Sequence, residues 1–168
     1  TNAINGEISS IGMTRVAADG TLLNYGLIDG GVTHLTAQTL NNSGSGRIYG
    51  AHVAIETGNL NNRAEMIDGV VRSATIAARE RLDLGVGVLE NSGQSWIFSD
   101  GDAGIGGALN GLAATGSAQV VNNLGSTIEI TGNLDLSALA VNNIRQNLVI
   151  QEDVTTVSAP VTMHQPAW

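Results

Sequence analysis

Apolar residues return along this chain in a fixed phrase. An aliphatic residue precedes two asparagines, a short polar or glycine-containing stretch follows, then an isolated isoleucine, then a spaced apolar pair. One copy reads Leu40-Asn41-Asn42, Ile48, Val53 and Ile55; another reads Val121-Asn122-Asn123, Ile128, Leu134 and Leu136. Leu60-Asn61-Asn62 follows Leu40 by 20 residues, and Val141-Asn142-Asn143 follows Val121 by 20. Looser copies run Leu23-Asn24-Tyr25 to Ile28, Val32 and Leu35; Leu60-Asn61-Asn62 to Ile67, Val71 and Ile76; Leu89-Glu90-Asn91 to Ile97 and Ile105; and Ile4-Asn5-Gly6 to Ile8. Self-similarity at such a period predicts a stacked repeat whose units cannot bury their apolar faces alone. In Val53-Ala54-Ile55 and Leu134-Asp135-Leu136 the apolar residues alternate at period two, which predicts strands.

Short strands separated by Gly, Asn and Ser corners predict an all-β chain wound as a parallel β-helix, one coil per repeat. Aligned asparagines would then stack from coil to coil, their amides bonding one another and the turn backbone. The period breaks twice: Leu60 to Leu89 spans 29 residues and Leu89 to Val121 spans 32. Glycine-rich Gly106 to Ser117 predicts an extruded loop or hairpin near 106–118. The other excess is assigned near 77–88, where Ala77-Ala78-Arg79-Glu80-Arg81 forms the densest charge cluster, read as a solvated corner. The repeats thus occupy 1–148. The segment 149–168, which holds both prolines, reads as a tail or cap on the last coil.

Composition narrows the function without fixing it. The chain has 168 residues, 42% hydrophobic but only 3% aromatic, as a narrow interior of small and branched side chains requires. A net charge of -8 argues against sequence-independent nucleic-acid binding and against anionic membrane surfaces. No apolar run approaches the roughly 18 residues of a membrane span, so membrane insertion is not expected. Cysteine is absent, which removes disulfides and thiol or zinc-ribbon chemistry. The start at Thr1-Asn2-Ala3, without Met or a leader, reads as a piece excised from something longer.

Candidate chemistry is sparse. Asp100 and Asp102, in Ser99-Asp100-Gly101-Asp102, are the closest approach to a paired-acid or cation site, but Asp-Gly is first a turn signal. A carbohydrate-active β-helix enzyme, lyase or hydrolase, is the alternative that this pair would serve. His34, His52 and His164 lack metal-ligand spacing, and His52 should face water. No cofactor is expected. The sharper feature is aromatic: if Ile97 fills the slot of Ile48 and Ile128, Trp96 and Phe98 point outward. The same register lines up Arg47, Met66, Trp96 and Thr127, and beside them Asp29, Tyr49, Asp68, Phe98 and Glu129. Tyr49, Trp96 and Phe98 are therefore the candidate partner-binding residues, unless the 106–117 loop or the tail covers them.

The Leu-Asn-Asn…Ile…apolar-x-apolar module resembles the haemagglutinin-type repeats of two-partner-secretion exoproteins, among them filamentous haemagglutinin and contact-dependent growth inhibition effectors. Three stretches resemble that family more specifically: Glu80 to Asn91, Ile97 to Leu109, and Thr127 to Leu136. The resemblance covers roughly residues 20 to 148. It implies a right-handed coil, export through an outer-membrane transporter, and display on a bacterial surface. The role it implies is structural or adhesive, with a target-cell receptor or glycan as possible partner and no catalytic site. At about seven coils of ~4.8 Å each, such a rod is on the order of 30 to 35 Å long.

Overall fold

The computed structural model describes residues 1–146; the expected cap at 149–168 lies outside them. Among the described residues every regular element is a strand, and most strands join in parallel into one 12-stranded system, a β-helix-like fold. Three columns of strands build it. The first stacks Ile8, Ile28, Ile48, Ile76, Ile97 and Ile128 on one another. The second stacks Val16, Leu35, Ile55, Leu84, Ile105 and Leu136. The third stacks Leu22, Leu40, Leu60, Leu89, Val121 and Val141. These three columns converge on a thin interior in which Ile28, Ile48, Ile76, Leu35, Ile55, Leu40 and Leu60 are completely buried. Each such side chain contributes roughly 1.5–3 kcal/mol of transfer free energy. Short aliphatics suffice because the three faces stand close together, which is why the chain needs so few aromatic residues.

The asparagines form a continuous ladder. Asn2 Nδ2 donates to Asn24 Oδ1 at 2.8 Å, Asn24 to Asn42 at 2.7 Å and Asn42 to Asn62 at 2.9 Å. Asn62 then donates to Asn91 at 2.8 Å, Asn91 to Asn123 at 2.9 Å and Asn123 to Asn143 at 2.9 Å. The second amide hydrogen of each reaches a backbone carbonyl: Leu27, Arg47, Thr75, Trp96, Thr127 and Ser126 in turn. All amides therefore point the same way along the stack, and buried polar groups find partners as they must. A one-residue slip would take the inner asparagine out of this column and turn the aliphatic residue two places before it, such as Leu40 or Leu60, away from the interior, so the ladder also enforces register.

The structure revises the register in two looser copies. Leu22, not Leu23, pairs with Leu40, and Asn24 aligns with Asn42, the second asparagine of the triplet. Asn2 bridges to Asn24, so Asn2 rather than Asn5 begins the ladder.

The excess assigned near 77–88 is also corrected. Thr75–Ser92 runs as one strand in register with Arg47–Arg63, apart from a local shift opposite Gly50 to His52. The extra residues instead form an antiparallel hairpin, Glu65–Ile67 with Val70–Arg72. Asp68 and Gly69 turn it with φ of 51° and 75°, the positive values that a two-residue hairpin turn of type I′ requires. Ile67 and Val71 look like coil residues because strand alternation persists in the hairpin. Consequently Thr75, not Met66, stands between Arg47 and Trp96, and Ala77, not Asp68, stands between Tyr49 and Phe98.

In the glycine-rich segment, Ala108–Asn110 pairs with Ala113–Thr115 as a second hairpin. It folds back against the outside of the second column. A Cβ at Gly85 would strike the Ala108 backbone, one at Gly104 would press on the Ala114 methyl, and one at Gly106 would meet the Thr115 carbonyl. These three glycines clear the seat on which the hairpin rests.

Candidate functional site

The outward side of the first column carries the aromatic residues. Trp96 directly follows Thr75 in its row and precedes Thr127, while Phe98 lies between Ala77 and Glu129. Strand alternation puts Ile97 inside and both aromatic neighbours outside. Their rings meet at a centroid distance of 5.2 Å with a 45° tilt, and Trp96 remains 41% exposed. Tilted pairs at this distance match the quadrupole preference of aromatic rings. The hairpin at 108–115 sits on the second column, where Leu109 N–H reaches Glu56 Oε1 and Ala114 N–H reaches Asp83, so it does not cover this pair.

Tyr49, half-buried, lies two rungs from Phe98 in the same column, with Ala77 between them. The missing bulk at Ala77 opens a hollow of about 250 Å³ lined by Tyr49, Ala77, Ala78, Arg79, Phe98 and Asp100. Arg79 also lines it, but its guanidinium reaches the rung beyond Tyr49: Nη2 donates to the Gly30 carbonyl at 3.3 Å and Nη1 lies 3.8 Å from Asp29 Oδ1. The three sequence candidates Tyr49, Trp96 and Phe98 thus come together on one face. Arg79 and Ala77 join them, which sequence reasoning missed. Aligning Leu82-Asp83-Leu84 on Val53-Ala54-Ile55 would have revealed both.

A second group of polar side chains sits under the 108–115 hairpin. Asp83 is completely buried although it faces outward. Arg81 Nε donates to its Oδ2 at 2.6 Å and Arg81 Nη2 to its Oδ1 at 2.9 Å; His52 Nε2 lies 2.9 Å from Oδ2, and Ala114 N–H donates to Oδ1 at 2.9 Å. Burial opposes ionisation, but the bonds from Arg81, Ala114 and His52 outweigh it and hold the carboxyl below its ordinary range. The cluster read as a solvated corner therefore contributes Arg81 to a buried fork, and His52, expected to face water, is engaged by Asp83.

A lowered folded value means that Asp83 stabilises the hairpin above the unfolded carboxyl pKa of about 3.9. That stabilisation is lost as pH falls through the folded value. Protection of the Ala114 amide from hydrogen exchange is accordingly expected to be high at neutral pH and to collapse in acid. In Asp83→Asn it should be weak throughout; a pH-independent protection in the wild type would contradict this role.

The remaining candidates are dispersed. Asp102 Oδ1 accepts Asn133 N–H at 2.7 Å and Asn133 Nδ2 at 3.1 Å, tying one rung to the next. Asp100 lies at the rim of the aromatic hollow instead. Among the described residues no three His, Asp or Glu side chains are grouped to hold a metal ion. His34 has its pKa lowered, chiefly by burial and then by Arg15, and its Nε2 is buried without a partner among the described residues. His164 lies outside those residues.

Compared with protein-family models, with curated proteins and with solved structures, the chain matches none of them.

Proposed function

We propose that this chain is a structural and adhesive segment of a secreted bacterial cell-surface filament, in the manner of haemagglutinin-type repeats. The coil is right-handed, with about seven turns at ~4.8 Å per turn. The parent protein leaves the cell through an outer-membrane transporter, and this segment extends the filament while presenting Tyr49, Trp96 and Phe98 to a target cell. One observation carries the reading: a paired Trp96 and Phe98 stand on an outer face, uncovered among the described residues. A stack stabilised by its aliphatic interior and its asparagine ladder has no packing need for them there. Exposed aromatic clusters of this kind are enriched at interfaces. The alternative reading, a carbohydrate-active enzyme, would need Asp100 and Asp102 to act as a pair; Asp102 Oδ1 accepts from Asn133 while Asp100 lies at the rim of the aromatic hollow.

Binding of the fluorescently labelled chain to intact bacterial and epithelial cells tests this directly. Saturable binding is expected, reduced at least tenfold in the Trp96→Ser/Phe98→Ser chain while the β-sheet circular dichroism is unchanged. Binding that survives both replacements would remove the patch from the account. No binding to either cell type would reduce the segment to a shaft.

A further inference from the structure

We infer that the hollow beneath the hairpin of Glu65–Ile67 and Val70–Arg72 is a binding site for a phosphate monoester, distinct from the aromatic face. The hairpin's orientation follows from its contacts. Its Ile67 and Glu65 side chains lie over the corner at Gly44, where an added Cβ would strike Ile67 and meet Glu65 Cβ. Arg72 is the cross-strand partner of Glu65, so it shares that inward face, while the paired Met66 and Val71 face water. Arg47 opens its strand just after the same corner and points outward, because Ile48 is inside. Thr75 stacks on Arg47 one rung later, and Asn5 belongs to the turn before Glu7–Ser9. With Ser45 and Ser73, these residues line a hollow of about 440 Å³. Small-ligand sites commonly span roughly 300–1,000 Å³.

The lining is one-sided in charge. It holds two arginines and no carboxylate. Arg63, Arg79 and Arg81 each have an acid partner, whereas Arg47 and Arg72 have none among the described residues. Acids on the neighbouring elements are engaged or set apart. Glu65 accepts from Arg63 Nη2 at 3.2 Å, Glu7 stands two rungs from Arg47 and accepts the Ser9 hydroxyl at 2.8 Å, and Asp68 sits in the hairpin turn. The Ser45 hydroxyl donates to the Tyr25 carbonyl at 2.7 Å. Two guanidinium forks, the Ser73 and Thr75 hydroxyls and the Asn5 amide are left to donate. A carboxylate brings them two oxygens and one charge. A phosphate monoester brings three terminal oxygens and a charge of about −1.5 to −2 at neutral pH, which matches two arginines and their neutral neighbours. A polymer of phosphates or sulfates is disfavoured, because the chain's net charge of -8 repels it beyond this corner. Trp96 follows Thr75 in its row, so the bound anion borders the aromatic face without depending on it.

The test follows backbone amide and arginine Nε–H signals of the whole 168-residue chain by NMR, at neutral pH and constant ionic strength. The probes are inorganic phosphate, glucose 6-phosphate, methyl sulfate and acetate. Saturable shifts at Arg47, Arg72, Ser73 and Thr75 are expected with both phosphate probes, with at least fivefold weaker binding of the two monoanions. Arg47→Gln and Arg72→Gln should each weaken phosphate binding at least fivefold, and together abolish it, while the signals of Ile48 and Ile76 show the fold intact. Arg15→Gln, which removes an arginine from the second column, should leave binding unchanged. No saturable shift at these residues, binding that survives the double replacement, equal binding of acetate or methyl sulfate, or an equal loss in Arg15→Gln would each overturn the inference. Tighter binding of glucose 6-phosphate than of inorganic phosphate would assign the site to a phosphorylated sugar; equal or weaker binding would assign it to free phosphate.

Discussion

Replacing Asn62 by alanine is expected to destabilise the chain by about 3–5 kcal/mol, far more than an uncharged surface change. Asn62 is completely buried at the middle of the ladder. Its loss leaves Asn91 Oδ1 and the Trp96 carbonyl without their donor, and deprives Asn42 Nδ2 of one acceptor. Each stranded buried group costs roughly 1–3 kcal/mol. Its neighbour Asn61 makes one bond, to Asn41 at 2.7 Å, on a partly exposed outer row. Asn61→Ala should therefore cost only ~0.5–1.5 kcal/mol, the net value of a replaceable hydrogen bond. Thermal melting followed by circular dichroism separates the two, with a drop of roughly 10 °C for Asn62→Ala and a few degrees for Asn61→Ala. Equal effects would mean that the inner ladder is not the register-setting element.

The second large effect belongs to the aliphatic column. Ile48 is completely buried between Ile28 and Ile76, so Ile48→Ala should cost about 3–4 kcal/mol, transfer plus cavity. The narrow interior cannot collapse around the hole, because hydrogen bonds on all three faces fix the rung spacing. Ile128, only partly buried against the same cluster, should cost about 1–2 kcal/mol on the same change. Chemical denaturation of both variants checks this. A larger loss at Ile128 would contradict nearest-neighbour stacking as the source of stability.

Much of this architecture is legible in the residues because its two strongest constraints are chemical and periodic. An aliphatic residue two places before a buried asparagine can occupy only one position of a rung, so Leu40, Leu60, Leu89 and Val121 announce their own alignment. The same logic places Trp96 and Phe98 outside once Ile97 is inside. Where the triplet decays, the register drifts: Leu22-Leu23-Asn24 keeps only the inner asparagine, and Leu23 with Asn24 imitates the outer pair. The hairpin at Glu65–Arg72 hides because Ile67 and Val71 alternate as coil residues do. Its Asp68-Gly69 turn is the local signal that separates the two. Asp83 was illegible for another reason, since its burial depends on a hairpin that begins at Ala108, far along the chain. Only the cleared positions Gly85, Gly104 and Gly106 hint at that seat.

The aromatic face exists only if the rungs stack in this register, and the distance across that face tests it most directly. Glu7, Leu27, Arg47, Thr75, Trp96 and Thr127 lie on successive rungs, five steps from first to last. Absence of native cysteine permits spin labels at Glu7→Cys and Thr127→Cys alone. Pulsed electron paramagnetic resonance should give one narrow distance distribution centred on about 24 Å, widened by the label arms. A broad distribution, or one centred beyond about twice the five-rung length, would contradict the stack and with it the aromatic face.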